Sequence, residues 1–279
     1  MINSSMQLKA KVRNLSGGDN ARSRVLIRNF FMERFLERMA LSPYRNNFVL
    51  KGGMLVAAVV GLETKATMDI DTTVKSLTLT TETAQRIIED IIKLDLSDGV
   101  SFSVTKVTDI MEEHDYPGIR IMLEGTLERM RQAIKVDIST GDVITPKAVN
   151  YSYKLMFEDR SISILTYNLE TILGEKLETI MARETANTRM RDFYDIYVLT
   201  KRETIDFKVL RDAFIATCNK RGTAAMIPQI DAILNAVRHD PFMKEMWGKY
   251  KADNFFVGEL SWDDVNASVE ALKEQIQIG

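Results

Sequence analysis

The chain has 279 residues, of which 45% are hydrophobic, so it can build a sizeable core in two ordinary domains or one large one. Its 37 lysines and arginines nearly balance its 39 aspartates and glutamates, and a polyanion would therefore have to meet a local basic patch. A single cysteine and two histidines exclude an internal disulfide framework and an ordinary structural zinc site.

The sequence predicts a soluble protein of the cytoplasm. The first residues lack the apolar stretch of a signal peptide, and no segment approaches the roughly 18 uninterrupted apolar residues of a membrane span. We therefore expect no membrane contact. His114 and His239 have no companion motif and are expected to be ordinary surface or loop residues.

The first 165 residues mix helical and strand periodicities. An amphipathic helix is predicted over 22–39 and stops at Ser42-Pro43. A short strand at 47–50 runs through Lys51-Gly52-Gly53 into an apolar helix that closes at Gly61. Next come a β-rich run over 68–74, a helix over 81–94 and strands at 101–108, 118–125 and 133–140.

After about residue 165 the pattern becomes helical. Helices are predicted at 168–185, 188–201, 206–219, 223–238 and 262–276. The sequence thus predicts an α+β protein with a mixed-sheet domain over 1–165 and an all-helical domain over 166–279.

Asp69 and Asp71 alternate with Ile70, so both carboxylates of this strand should point to one face. Two like charges side by side are costly, and a divalent cation removes that cost; magnesium prefers a few carboxylates together with substrate phosphates. On its own the pattern also fits a solvated turn or a helix cap.

Gly52 and Gly53 lie between a strand and a helix, where glycines let a phosphate approach the backbone and the helix N-terminus. A plain tight turn would use the same residues. Together with the aspartate strand one helix later, however, the turn supplies what nucleoside triphosphate chemistry requires.

A third carboxylate fits the same plan. Ile134, Val136 and Ile138 take one face of a predicted strand and leave Asp137 on the other. If this strand lies beside Asp69–Asp71, Asp137 can complete a metal site or act as a general base. An ordinary polar strand face remains the alternative.

Lys176 lies at the edge of a helical apolar stripe, where it either reaches water or meets a buried anion. Asp192 shares the inward side of the next predicted helix with Ile196 and Leu199, and Lys176 is its expected partner. The pair can be structural, functional or both. Arg183, Arg189 and Arg191 add positive charge nearby, available to RNA or a triphosphate, although a solvated helix face is the simpler explanation.

The segments KGGMLVAAVVGLETKATMDIDTTV, IKVDIS and EKLETIMARETANTRMRDFYDIYVL together resemble the AbiEii/AbiGii toxin family, within the polymerase-β-like nucleotidyltransferases. The resemblance spans roughly residues 22 to 220. One departure is Met54, which stands where such enzymes usually have serine or threonine after the glycine.

The resemblance implies a set of site residues. Asp69 and Asp71 would hold Mg²⁺ or Mn²⁺, with Asp137 as a less secure third ligand or catalytic carboxylate, and Lys176 and Asp192 would be the family's essential lysine and helical aspartate. Nucleotide binding would use Lys51, Gly52, Gly53, Thr67 and Lys176.

The family implies transfer of a nucleoside monophosphate from a nucleoside triphosphate. The acceptor would be tRNA or another RNA, and its modification would block translation and growth. The protein would be the toxin of a type IV toxin–antitoxin or abortive phage-infection system, with a cognate antitoxin as partner. Two alternatives stay open: a nucleotidyltransferase of the same fold that modifies a small molecule, and a catalytically silent protein that binds nucleotide or RNA.

Overall fold

The computed structural model describes residues 2–62, 65–111 and 117–278. His114 lies outside them, and His239 is exposed at the end of a helix. The chain divides into two compact units. Unit 1 comprises Met1–Val59, Ala66–Asp142 and Val149–Thr166, and unit 2 comprises Val60–Lys65, Val143–Ala148 and Tyr167–Gly279.

Unit 1 contains a seven-stranded mixed sheet. Its strands, in chain order, are β1 (Phe48–Lys51), β2 (Asp69–Val74), β3 (Val100–Met111), β4 (Pro117–Leu127), β5 (Met130–Thr140), β6 (Val149–Lys154) and β7 (Ser161–Thr166). The spatial order is β3-β4-β5-β2-β1-β7-β6. β2 runs antiparallel to β1 but parallel to β5, which confirms that the Asp137 strand lies beside the Asp69–Asp71 strand.

The helices of unit 1 are α1 (Ser5–Ser16), α2 (Asn20–Leu41), α3 (Gly52–Val60) and α4 (Thr81–Ile92). α2 packs on the sheet through its phenylalanines: Phe35 meets Phe102 edge to face, and a Cβ on Gly125 would overlap the ring of Phe31. One sheet face therefore belongs to the core, because Ile70, Val136 and Ile121 in neighbouring strands are fully buried. The alternating residues are left for the opposite face.

The elements described in unit 2 are all helical, as the sequence predicts. They are α5 (Leu169–Arg183), α6 (Met190–Arg202), α7 (Phe207–Arg221), α8 (Ile230–His239), α9 (Pro241–Asp253) and α10 (Trp262–Ile276), with short 3₁₀ segments between some of them. Gly174 allows the closest approach of α5 to α7, where a Cβ would lie 3.0 Å from the backbone N of Phe214. The mixed-sheet and helical parts together confirm the α+β class.

Some elements differ from the sequence-based expectations. The helix predicted over 223–238 is wrong in its first part: Ala224–Gln229 forms a 3₁₀ segment, and the α-helix begins only at Ile230. Pro228 explains this, because its ring cannot donate a backbone hydrogen bond inside an α-helix. Four elements were not predicted at all: α1, β6, β7 and α9.

Over the described ranges, every helix is either too short or too polar to cross a lipid bilayer.

Candidate active site

A row of charged residues crosses unit 1 at one level of the sheet. Lys51 on β1 pairs in register with Asp71 on β2, Asp71 with Asp137 on β5, and Asp137 with Arg120 on β4. Directly paired residues in adjacent strands project to the same face, so these four side chains share one side of the sheet. The two carboxylates stand side by side in the middle of the row, with a cation at each end.

Arg120 holds Asp137 through two parallel hydrogen bonds. Its Nε donates to Oδ1 and its Nη2 donates to Oδ2, each at 2.8 Å. This fork geometry is the strongest form of an arginine–carboxylate contact. The contact raises the pKa of the Arg120 guanidinium, although its side chain is 37% exposed.

Asp69 lies one step along the same face, where its register partner on β5 is Lys135. The Lys135 Nζ is 2.7 Å from Oδ2 of Asp69 and 3.8 Å from Oδ2 of Asp137. Three carboxylates therefore gather around two cationic groups, Lys135 and Arg120.

Lys51 is buried and points its ammonium to a residue beyond β5. Its Nζ donates to Oδ2 of Asp142 at 2.6 Å, and Ser139 donates to the same oxygen at 2.9 Å. Asp142 thus anchors the lysine that immediately precedes the glycine turn.

The glycine turn fits tightly against these side chains. Gly52 has a φ of +66°, and a Cβ there would overlap the Asp71 carboxylate, with its carbons only 2.9 Å away. A Cβ on Gly53 would lie 2.8 Å from Oγ1 of Thr67, whose hydroxyl donates to the Asp69 carbonyl at 3.3 Å. The turn and the aspartate strand, predicted to cooperate, are therefore in contact. Met54, which replaces the usual hydroxyl residue, is fully buried.

The donor set of this face fits a hard divalent cation, because it consists of carboxylate oxygens. Among the residues that the structure describes, however, no three acidic, histidine or cysteine side chains converge on a common point. Lys135 and Arg120 account for this, since they occupy the carboxylates instead. Asp69, Asp71 and Asp137 could ligate one ion only after a cationic side chain moves.

Unit 2 holds a second, buried charge cluster. The Lys176 Nζ is 2.8 Å from Oδ1 of Asp192 and 2.7 Å from Oδ2 of Asp195, which confirms the predicted partner of Asp192. Lys65 is 2.6 Å from the other oxygen of Asp195. Arg189 completes the cluster by donating its Nε to Oδ2 of Asp192 at 2.8 Å.

Burial and charge act in opposite directions on these groups. Burial alone would lower the pKa of Lys176, but Asp192 and Asp195 outweigh it and raise that pKa. Lys65 is different: burial lowers its pKa despite Asp195, and the neighbouring charge of Lys176 lowers it further. Burial would raise the pKa of Asp192, but Lys176 and two arginines bring it below its ordinary value.

The sequence predicted that Asp69 and Asp71 share one face, in agreement with the strand pairing, but it did not predict the contacts that Arg120 and Lys135 make with the carboxylates. Arg120 lies on β4, next to the strand of Asp137, and Lys135 lies on β5, next to the strand of Asp69. Only the strand register shows which carboxylate each cation contacts. Lys65 lies in a short connection without periodicity, and Asp195 lies one turn after Asp192 on α6, where the apolar pattern singled out only Asp192. The available signal was the alternation in β4 and β5, which puts Arg120, Lys135 and Asp137 on one face.

One family model matches the chain over residues 34–271, and its description is "Nucleotidyl transferase AbiEii toxin, Type IV TA system". The matched range includes the charged row of unit 1 and the buried cluster of unit 2. A comparison with curated proteins found no match.

Solved structures of similar proteins include two from Helicobacter pylori, each 15% identical in sequence. One is described as a candidate nucleotidyltransferase, with a TM-score of 0.48 over 91% of this chain and 96% of that chain. The other gives a TM-score of 0.47 and covers 91% of this chain and 94% of its own. A third structure is that of an antigenic nucleotidyltransferase-like protein from Paracoccidioides brasiliensis, which is also 15% identical. Its TM-score is 0.37, and the match covers 84% of this chain and 94% of that chain.

Proposed function

The chain belongs to the AbiEii family of nucleotidyltransferase toxins of type IV toxin–antitoxin systems, and from this premise we propose that it moves a nucleoside monophosphate from a nucleoside triphosphate to an RNA acceptor. The acceptor that the family resemblance favours is tRNA. Modification of tRNA would block translation and stop growth, in the cytoplasm and as part of phage defence.

The observation that carries the proposal is the cross-strand pairing of Asp71 with Asp137, next to Asp69 and against the Gly52 turn. Neighbouring carboxylates repel one another, so the pairing of Asp71 with Asp137 on the sheet face opposite the apolar core calls for a functional reason besides the cations Lys135 and Arg120. Nucleotidyl transfer gives such a reason.

Asp69 and Asp71 are the proposed ligands of Mg²⁺ or Mn²⁺, and Asp137 is the proposed third ligand or general base. A divalent cation bound here would neutralise charge on the α-phosphate and on the leaving pyrophosphate. As a base, Asp137 would take the proton of the acceptor hydroxyl. Its oxygens are engaged by Arg120, so that pair must open or shift first.

Nucleotide binding is assigned to the glycine turn at the start of α3. The backbone of Gly52 and Gly53 and the N-terminus of α3 offer N–H groups and a favourable dipole to a phosphate. Thr67 contributes a hydroxyl close to Gly53, and Lys51 contributes positive charge beside the turn.

In unit 2, the proposal gives Lys176 a contact with a substrate phosphate and gives Asp192 the task of holding its ammonium. Asp195 shares that task, because it is as close to the lysine as Asp192 is. A purely structural ion pair is the alternative for this cluster.

Growth of a bacterial host during induced expression tests the toxin function. We expect the intact chain to stop growth and Asp69→Asn to restore it, because the neutral amide cannot act as a charged metal ligand. Asp109→Asn is the matched control: this exposed aspartate lies on β3, away from the row, so the variant should remain toxic.

Toxicity that persists in Asp69→Asn at equal protein levels would contradict the proposal, as would an intact chain that is harmless. Co-expression of the neighbouring gene should restore growth if that gene encodes the antitoxin.

A further inference from the structure

Lys135 lies against two carboxylates that would hold a divalent cation. Its ammonium lies 2.7 Å from one carboxylate oxygen of Asp69 and 3.8 Å from one of Asp137. These are two of the three carboxylates that the proposed function assigns to the metal. The side chain is 24% exposed, so it can leave toward solvent on its flexible stem.

The ammonium and a metal ion compete for the same oxygens. A divalent cation needs its carboxylate ligands at about 2.0–2.6 Å. A lysine ammonium held at hydrogen-bond distance from the same oxygen would then be a close like charge, and this repulsion is strong near a protein surface. The two cations therefore exclude each other at Asp69.

Arg120 differs from Lys135 in how it is held. It makes two parallel hydrogen bonds to a single carboxylate, whereas Lys135 meets Asp69 at hydrogen-bond distance and Asp137 only at 3.8 Å. Displacing the guanidinium breaks two hydrogen bonds of fixed geometry, whereas an ammonium can rotate and form its hydrogen bonds elsewhere. Of the two cations, Lys135 is therefore the more easily displaced.

We propose that Lys135 is a resident counter-ion of the carboxylate site, which neutralises Asp69 in the metal-free chain and must be displaced by the divalent cation. This rests on the proposed function only for the identity of the metal ligands. Lys135 then keeps the affinity of the free site low, so the cation is bound firmly only when substrate phosphates supply further ligands.

The affinity for Mn²⁺ alone, measured by electron paramagnetic resonance without nucleotide, tests this directly. Lys135→Met should bind Mn²⁺ about tenfold more tightly than the intact chain, because it removes a positive charge in contact with a ligand. Lys135→Arg keeps the charge and should bind Mn²⁺ no more tightly than the intact chain. Asp69→Asn in the Lys135→Met background should abolish the gain.

Arg131→Met is the matched control for net charge. Arg131 lies on the same strand, its side chain is 72% exposed, and its partner is Glu124. At physiological salt, screening should keep the change in Mn²⁺ affinity caused by Arg131→Met below about twofold.

Equal Mn²⁺ affinities of the intact chain and folded Lys135→Met would overturn the proposal, as would an equal gain in Arg131→Met or no binding by either protein at millimolar Mn²⁺. Nucleotide transfer is measured separately, so failure of the counter-ion role and failure of the enzymatic function give different results.

Discussion

At the residue scale, the buried cluster of unit 2 shows how two lysines are kept inside a protein. Lys65 and Lys176 share the two oxygens of Asp195, and Asp192 adds a second negative charge to Lys176. Removing one carboxylate would leave buried positive charge uncompensated, which is far more costly than losing an exposed ion pair.

We expect Asp192→Asn to lower the free energy of unfolding by about 3–5 kcal/mol at neutral pH. The control is Glu245→Gln, whose pair with Lys249 is solvent-exposed and should change the free energy of unfolding far less. Urea unfolding followed by circular dichroism measures both. A loss no larger than that of the control would show that Asp192 does not stabilise the buried lysines.

The loss of stability caused by Asp192→Asn should also depend on pH. The fold lowers the pKa of Asp192 below its ordinary value of 3.8, so its stabilisation is complete above that value and is lost as the pH falls toward the folded pKa. The gap in stability between the intact chain and Asp192→Asn should therefore narrow below about pH 4.

Lys176 and Asp192 could be paired from the sequence because each lies on the apolar stripe of a helix, where a charge needs a partner. Lys65 could not be added, since no periodic element contains it. Lys135 shares the face of Asp137 by alternation alone, but its contact with Asp69 depends on the pairing of β2 with β5. The contact of Arg120 with Asp137 likewise depends on the register between β4 and β5.

At the element scale, α3 is bounded by two glycines with positive φ that have different surroundings. Gly52 has a φ of +66° and lies against Asp71, whereas Gly61 has a φ of +90° and no heavy atom within 4 Å of a built Cβ. Alanine at either position meets the same kind of backbone strain. Only at Gly52 does its methyl group also meet the candidate site.

Gly52→Ala and Gly61→Ala should therefore lose similar stability from backbone strain, about 1–2 kcal/mol. Gly52→Ala should in addition displace the Asp71 carboxylate and reduce nucleotide transfer about 100-fold. Unfolding and transfer rates of both variants test this. Equal transfer by the two folded variants would show that the Gly52–Asp71 contact does not position the site.

The strength of local signals explains which elements the sequence could predict. α10 was predicted with its observed bounds, because Ser261 and Asp264 form a capping box and an apolar stripe follows. α9 carried signals that were overlooked, with Asp240 as N-cap and Pro241 at the first position. β6 buries only Tyr153 fully and so has little apolar alternation, whereas Ile162 and Ile164 in β7 do alternate with serines and were an available signal.

At the scale of the whole molecule, the change from mixed to helical periodicity was enough to predict the α+β class. The strand order was not predictable from periodicity, because it depends on pairings between distant segments, such as β2 with β5 and β1 with β7. That order places Asp137 beside Asp71. It brings the glycine turn, the Asp69–Asp71 strand and the Asp137 strand together in one part of the sheet.

The position of the transferred label tests the central claim, nucleotidyl transfer at this row, most directly. We would incubate the purified chain with total RNA, a divalent cation and each nucleoside triphosphate, labelled at either the α- or the γ-phosphate. We expect RNA to acquire the α-label and never the γ-label. Asp69→Asn should reduce transfer about 100-fold or more, whereas Asp109→Asn should not. These results are the ones expected of nucleotidyl transfer at the carboxylates. Transfer of the γ-label to RNA, or equal α-transfer by Asp69→Asn, would contradict it.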